Sequence, residues 1–261
     1  GCQMDTTLLE FETQFVERLW GGHGLRALYG LPTPEDKPIG EAWLVSDHLF
    51  AESVIMTGSL AGLTLHELIQ RDTAAVLGTH ARLTHGGRFP LLLKLIDAAE
   101  VLSVQVHPDD ATAARLGEDD IGKTEMWHVL HTEPGSALYC GLAPGTTREA
   151  IADAIPDNTL DRLLTRFEVA PGDSIHVPAG TVHAIGAGVI LAEIQQNSDI
   201  TYRLYDWGRV QVDGTPRMLH VDKALESVDL TSDTRQPSTP LAYELGGARI
   251  DILAACRHFA A

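Results

Sequence analysis

Pro171-Gly172-Asp173-Ser174-Ile175-His176-Val177-Pro178-Ala179-Gly180-Thr181-Val182-His183-Ala184-Ile185-Gly186-Ala187-Gly188-Val189-Ile190-Leu191-Ala192-Glu193-Ile194 is the stretch that decides the fold class. Pro171-Gly172-Asp173 reads as a turn, Ile175-His176-Val177 as a short strand and Pro178-Ala179-Gly180 as another turn. Glycine and proline here punctuate apolar runs of strand length. Residues 182–185 and 189–194 then predict a hairpin across Gly186-Ala187-Gly188.

The same rhythm extends both ways. Upstream, residues 90–97 and 101–107 read as strands. In the second, Leu102, Val104 and Val106 alternate with Ser103, Gln105 and His107. Further short strands are expected at 40–46, 53–56, 126–130, 137–139, 167–169, 201–207 and 248–255. Helical signals come in blocks. Thr64-Leu65-His66-Glu67 and Thr146-Thr147-Arg148-Glu149 have capping-box spacing and predict helical insertions at about 62–80 and 146–164. Asp109 or Asp110 caps a short helix over 109–116, and 216–225 contains one more. Many short strands with helices in blocks make the chain mainly β, an antiparallel sandwich or barrel with helical insertions.

Chemistry concentrates on the 101–107 strand. Ser103, Gln105 and His107 on one face of an apolar strand need partners, because a buried polar group without one is costly. A Gln oxygen and a His nitrogen two residues apart can bind one cation, with Glu125 adding a carboxylate and His183 a second imidazole. The competing reading of either histidine alone is an ordinary hydrogen-bonded core imidazole. Glu193 lies in an otherwise apolar strand, where burial favours its neutral form and suits proton transfer. An ion pair with Arg203 or a lysine is the plainer alternative. Arg203, Lys94 and Lys123 are cations placed to bind an anion, with Ser103 facing the same way as Gln105. Trp43 and Trp207 are expected in the core rather than as substrate platforms.

Composition narrows the partners. The formal net charge of −17 argues against nucleic acid and anionic membranes, though a local cationic cluster still admits a phosphorylated small molecule. Three cysteines, Cys2, Cys140 and Cys256, stand far apart in no metal spacing and read as reduced thiols. No apolar run reaches membrane-spanning length and no signal peptide opens the sequence, which predicts a soluble cytoplasmic protein. Trp20-Gly21-Gly22-His23-Gly24 lacks the spacing of a dinucleotide fingerprint, and no nucleophile-elbow motif is present.

Several motifs carry a resemblance. Gly172–His183 resembles the second cupin motif, with its glycine, Pro-x-Gly turn and metal-binding His. Gln105-Val106-His107-Pro108-Asp109-Asp110, Gly122-Lys123-Thr124-Glu125, Glu193-Ile194-Gln195-Gln196-Asn197-Ser198-Asp199 and Tyr202-Arg203-Leu204-Tyr205-Asp206-Trp207 narrow it further. Together they resemble the short bacterial form of type I mannose-6-phosphate isomerase, in order from about residue 8 to about 255.

The resemblance implies a cupin jelly roll acting as a zinc-dependent aldose–ketose isomerase on mannose 6-phosphate and fructose 6-phosphate through a cis-enediol. It implies one Zn2+ per chain on Gln105, His107, Glu125 and His183. Arg203, Glu193, Lys123 and Asp199 fall at catalytic positions, and Lys94, Ser103 and Arg203 at substrate-binding ones. Iron or nickel could replace zinc at such a donor set. Residues 1–240 form the expected catalytic domain, and 241–261 the start of a second β domain cut short. The alternatives are a non-catalytic sugar-phosphate-binding cupin and a metal-dependent cupin oxygenase.

Overall fold

The computed structural model describes residues 8–79, 81–84, 86–211, 213–232, 234 and 236–261. Cys2 and the last residue of the first expected helical insertion, His80, lie outside them. The chain begins with β1 (Gln14–Gly22), α1 (Gly24–Tyr29), β2 (Ile39–Val45) and the two-residue strands β3 (Asp47–His48) and β4 (Ala51–Glu52). The first helical insertion holds α2 (Leu65–Arg71) and α3 (Thr73–Leu77), with Thr64 and Glu67 closing a full capping box. Next come β5 (Leu91–Ala98), β6 (Val104–Val106), α4 (Asp110–Arg115), β7 (Glu125–Thr132) and β8 (Ala137–Leu142). The second insertion is α5 (Arg148–Ala154) and a 3-10 turn at Leu160–Leu163. After it run β9 (Leu164–Glu168), β10 (Ser174–Val177), β11 (His183–Ile185), β12 (Val189–Gln196) and β13 (Tyr202–Tyr205). The described chain ends with α6 (Val221–Ser227) and the hairpin of β14 (Leu241–Leu245) with β15 (Ala248–Ile252).

Two antiparallel sheets face one another. One has the order β1-β2-β5-β12-β7-β10 and the other β13-β6-β11-β8-β9. Their inner faces share one apolar cluster, in which Ile96, Trp127, Val129 and Leu191 from the first sheet meet Leu138, Cys140 and Ile185 from the second. The period-two alternation of each strand sends the remaining apolar residues outward. Val104, Val106, Val182, Ala184, Tyr202 and Leu204 pack on the far side of the five-stranded sheet against residues of α4, α5 and α6. Leu25 of α1 packs with Ile39, Ala42 and Ile190 behind the other sheet. The mainly β sandwich with helical insertions read from the sequence is the observed architecture.

The predicted hairpin at 182–194 does not form. β11 pairs with β6 and β8, whereas β12 pairs with β5 and β7, so Gly186-Ala187-Gly188 carries the chain from one sheet to the other. A Cβ on Gly186 would lie 2.1 Å from the Ala137 carbonyl oxygen, and Gly188 adopts φ +78. The glycines therefore serve a tight inter-sheet crossing. Other elements differ in extent. Residues 53–56 make only isolated bridges, Val54 with Thr64 and Ile55 with Phe11. Strand pairing in 101–107 narrows to 104–106, and Leu102 points into the inter-sheet cluster instead of alongside Val104. Thr147, rather than Thr146, caps α5, accepting from Ala150 N. No helix among the described residues is long and apolar enough to cross a membrane.

Candidate active site

Two cross-strand rows on the inner faces build the site. In the six-stranded sheet, Lys94 of β5 is in register with Glu193 of β12, which is in register with Trp127 of β7. In the five-stranded sheet, Arg203 of β13 is in register with Gln105 of β6, and Gln105 with His183 of β11. Glu125, the first residue of β7, and His107, just past β6, complete the junction. All the polar side chains in these rows point inward because their neighbours in each strand are the apolar residues packed behind the sheets.

His107, Glu125 and His183 are almost fully buried and form a compact triad. Among the described residues they are the one group of three or more His, Cys, Asp or Glu side chains whose ligand atoms all lie within 4.8 Å of one another. Glu125 Oε1 lies 3.3 Å from His183 Nε2, and Oε2 lies 3.5 Å from His107 Nε2. Each imidazole is oriented by its other nitrogen: His107 Nδ1 donates to the Ile200 carbonyl at 2.7 Å and His183 Nδ1 to the Thr181 carbonyl at 2.8 Å. That tautomer turns both Nε2 lone pairs toward Glu125. Gln105 Nε2 lies 3.2 Å from His183 Nε2; turning the amide over would present its oxygen instead.

Electrostatics suit a cation there. Burial holds both imidazoles below the usual histidine range, His107 strongly so with Lys123 adding to the effect. Both are neutral, as ligation requires. Burial would raise the Glu125 carboxyl, but the charge of Lys123, 2.8 Å from Oε2, outweighs it and holds the group below the usual carboxylate range. Neither Glu125 oxygen accepts an aligned hydrogen bond, although Lys123 Nζ stands 2.8 Å from Oε2. A buried carboxylate left in that state facing two imidazole lone pairs fits a metal ion.

A cavity of about 250 Å³ opens beside the triad, lined among others by Glu41, Lys94, Lys123, Glu193, Asp199 and Arg203. Lys94 Nζ donates to Glu41 Oε1 at 3.0 Å and stands 3.1 Å from Glu193 Oε1. Burial opposes its charge, but Glu193 and Glu41 outweigh burial and keep its pKa above the usual lysine value. Glu193 accepts from Trp127 Nε1 at 2.9 Å, and Lys123 Nζ is 3.9 Å from it. Glu193 is thus buried as its sequence setting implies, but beside two lysines rather than in apolar isolation. Ser103 Oγ lies 3.3 Å from Arg203 Nε, and Asp199 sits exposed at the rim. His128 and His176 point away from the cavity, His128 to Ser174 Oγ and His176 to Phe259. Trp207 packs with Tyr139 and Tyr205 in the outer core, and Trp43 is buried near Lys94.

Sequence reading missed three residues of this cavity. Glu41 stood in view as the one charge in the 40–46 strand, and it also takes Arg18 at 2.6 Å. Arg18 and Arg217 carried no signal, since arginines in such segments are ordinarily solvated. The structure lines the cavity with both.

Fold and site together define a cupin-type protein built around a buried candidate metal centre and an adjoining polar cavity. The model of the phosphomannose isomerase type I catalytic domain matches residues 8–134. The chain is 40% identical over 232 residues to mannose-6-phosphate isomerase ManA of Bacillus subtilis (strain 168), covering 88% of this chain and 70% of that protein. It is 35% identical over 251 residues to mannose-6-phosphate isomerase of Streptococcus mutans, covering 96% and 76%. The crystal structure of the mannose 6-phosphate isomerase from Bacillus subtilis matches with a TM-score of 0.86 at 32% identity, over 97% of this chain and 78% of that one. The chain belongs to the type I mannose-6-phosphate isomerases, metal-dependent enzymes that interconvert mannose 6-phosphate and fructose 6-phosphate. That membership favours the isomerase over the binding-module and oxygenase alternatives.

Proposed function

We propose that Gln105, His107, Glu125 and His183 hold one zinc ion per chain, and that the adjoining cavity takes the open-chain sugar by its C1–C2 end. The observation that carries this reading is Glu125, buried with neither oxygen in an aligned hydrogen bond and faced by two imidazole lone pairs. Two nitrogens, a carboxylate and an amide oxygen suit zinc with a position left for substrate. A zinc-bound mannose 6-phosphate isomerase shares the fold, with a TM-score of 0.65 at 17% identity. When bound, the ion would supply Lewis-acid polarisation of the sugar oxygens.

The chain's own residues handle the proton. Glu193 takes the C2 proton and returns it at C1, the electron pair passing through a cis-enediol while the hydroxyl proton moves from O2 to O1. Trp127 Nε1 and Lys94 fix the Glu193 carboxylate in the cavity wall. Arg203 stabilises the enediolate charge, Lys123 orients Glu125 within the triad, and Asp199 binds sugar hydroxyls at the rim. Of the two side chains expected to bind substrate alongside Arg203, Ser103 keeps that role, whereas Lys94 acts through Glu193. Cys140 and Cys256 are free thiols, in keeping with a reducing cytoplasm.

The test is fructose 6-phosphate formation by protein stripped with a chelator and titrated with zinc. Activity should vanish on stripping and return near one zinc per chain. Recovery with iron but not zinc would overturn the metal assignment. Metal and sugar-phosphate binding without turnover would overturn the reaction.

A further inference from the structure

β12 ends at Gln196, and its last rung is completed by a side chain. Gln196 N donates to the Thr124 carbonyl at 3.0 Å, which carries the ladder one residue past the pairing of Gln195 with Glu125. In a regular antiparallel pair the returning bond runs from Thr124 N to the Gln196 carbonyl. That carbonyl has turned away with the chain and takes Ser198 N and Gln195 Nε2, each at 2.8 Å. Gln196 Oε1 accepts from Thr124 N in its place, at 2.8 Å. The other end of the amide, Nε2, donates to Asp110 Oδ1 at 3.0 Å, and the same oxygen accepts from Gly122 N at 3.0 Å.

These bonds fix a stretch of chain that belongs to no strand. Residues 121–124 lead into β7 and carry Lys123, whose ammonium faces Glu125. Lys123 N donates to the Pro108 carbonyl at 3.0 Å, and Ser198 Oγ to the Ile121 carbonyl at 2.7 Å. Gly122 lies so close to the turn after His107 that a Cβ there would fall 2.5 Å from both the Asp109 carbonyl carbon and Asp110 N. The Gln196–Asp110 bond therefore joins three segments of the site. His107 lies three residues before Asp110 and Glu193 three before Gln196, while Lys123 and Glu125 flank Thr124. Gln196 shares the outward face of β12 with Ile194 and lines a different cavity from Glu193. It is buried, and both polar atoms of its amide are engaged in this link.

We propose that Gln196 and Asp110 are positioning residues that hold Lys123 and Glu125 against His107 and Glu193, so that the metal triad and the proton-transfer carboxylate keep one fixed separation. The proposal rests on the functional reading above, in which the triad holds zinc and Glu193 moves the proton. Neither side chain lines the cavity that takes the sugar, so their action passes through the backbone of 122–124. An apolar residue at 196 would leave Thr124 N without its acceptor, and a buried amide in that state shifts to find another. Side chains that orient metal ligands from behind ordinarily change metal affinity or activity by about tenfold to a hundredfold.

The experiment measures zinc affinity by chelator competition, and steady-state kinetics with mannose 6-phosphate at saturating zinc, well below the melting temperature. Gln196→Met keeps the length of the side chain and removes both of its bonds. It should weaken zinc affinity by about tenfold or more and lower kcat by a similar factor, with KM within about threefold. Asp110→Ala, made at an exposed residue, should move zinc affinity and kcat the same way by a smaller factor. Asp110→Asn keeps an oxygen for both amides and should recover most of that loss. Gln196→Glu sets a carboxylate oxygen against Asp110 Oδ1, and adding Asp110→Asn should relieve the repulsion and strengthen zinc binding again. A link that serves the fold alone would lower the melting temperature and leave zinc affinity and kcat at the parent values. That result in Gln196→Met or Asp110→Ala would overturn the proposal, as would Asp110→Asn recovering nothing in either background. A parent protein that binds zinc but never isomerises the sugar would overturn the functional reading, and the zinc affinities of the variants would still decide the link.

Discussion

Lys94 Nζ lies 3.1 Å from Glu193 Oε1, across the register pair that joins β5 to β12, with both side chains buried. Glu41 approaches the same ammonium from the other side at 3.0 Å. One buried cation therefore lies between two buried carboxylates; without it Glu41 keeps only Arg18, and Glu193 keeps only Trp127 Nε1 and a lysine 3.9 Å away. Lys94→Met should cost about 3 kcal/mol or more in urea unfolding, although methionine fills the space. A loss under about 1 kcal/mol would mean that water already screens the group.

Glu193→Gln keeps the shape of the side chain and its place beside Trp127 Nε1, but removes the base. Zinc content should stay near the parent value while turnover falls by about a hundredfold or more. Near-normal turnover would remove Glu193 from the proton path.

Glu125 is the point at which metal and stability meet. Zinc at about a hundred times its dissociation constant should stabilise the fold by about 3 kcal/mol, read as a rise in melting temperature that a chelator reverses. Glu125→Gln should abolish that zinc-dependent rise. A rise that survived the substitution would place the ion elsewhere.

Glu41 supplies a pH dependence. Burial alone would raise its pKa, but Lys94 and then Arg18 outweigh burial and bring it to about 2, against an ordinary 4.5. A carboxyl with a depressed folded-state pKa stabilises above its unfolded value and loses that stability as pH falls toward the folded one. The contribution, about 3 kcal/mol at neutral pH, should fade between about pH 5 and pH 2. Comparing urea unfolding of the parent and Glu41→Gln at neutral pH and near pH 3 checks the sign: the gap should narrow on acidification. A gap that widened would contradict it.

The sequence carried the sandwich and the triad for a common reason. Alternation in 103–107 puts Gln105 and His107 on one face, and polar residues on an apolar strand advertise a partner. Strand pairing was illegible where it depended on which sheet a strand joins. Residues 182–185 and 189–194 look alike as apolar runs, yet they belong to opposite layers. Arg217 was hidden because its place in the cavity wall comes from its bonds to Asp206, eleven residues away, which no local pattern encodes. Helix α1 was missed because Gly24 opens it, while Asp97, seventy-three residues away, accepts from the Gly24 and Leu25 amides.

Gly186 tests the crossing between layers. In a free hairpin turn an alanine at a glycine without positive φ would be nearly neutral or mildly stabilising. Here Gly186 N donates to the Ala137 carbonyl at 3.1 Å, and a Cβ would fall 2.1 Å from that same oxygen. The obstacle is backbone, so no side chain can swing aside to relieve it. Gly186→Ala must shift either the crossing or the start of β8, and both flank the inter-sheet cluster through Ile185 and Leu138. The expected cost is about 2 kcal/mol in urea unfolding, as for other overpacked sites. Because β11 also carries His183, zinc affinity should weaken alongside stability. A neutral substitution would show that the two sheets tolerate a wider crossing than the one observed.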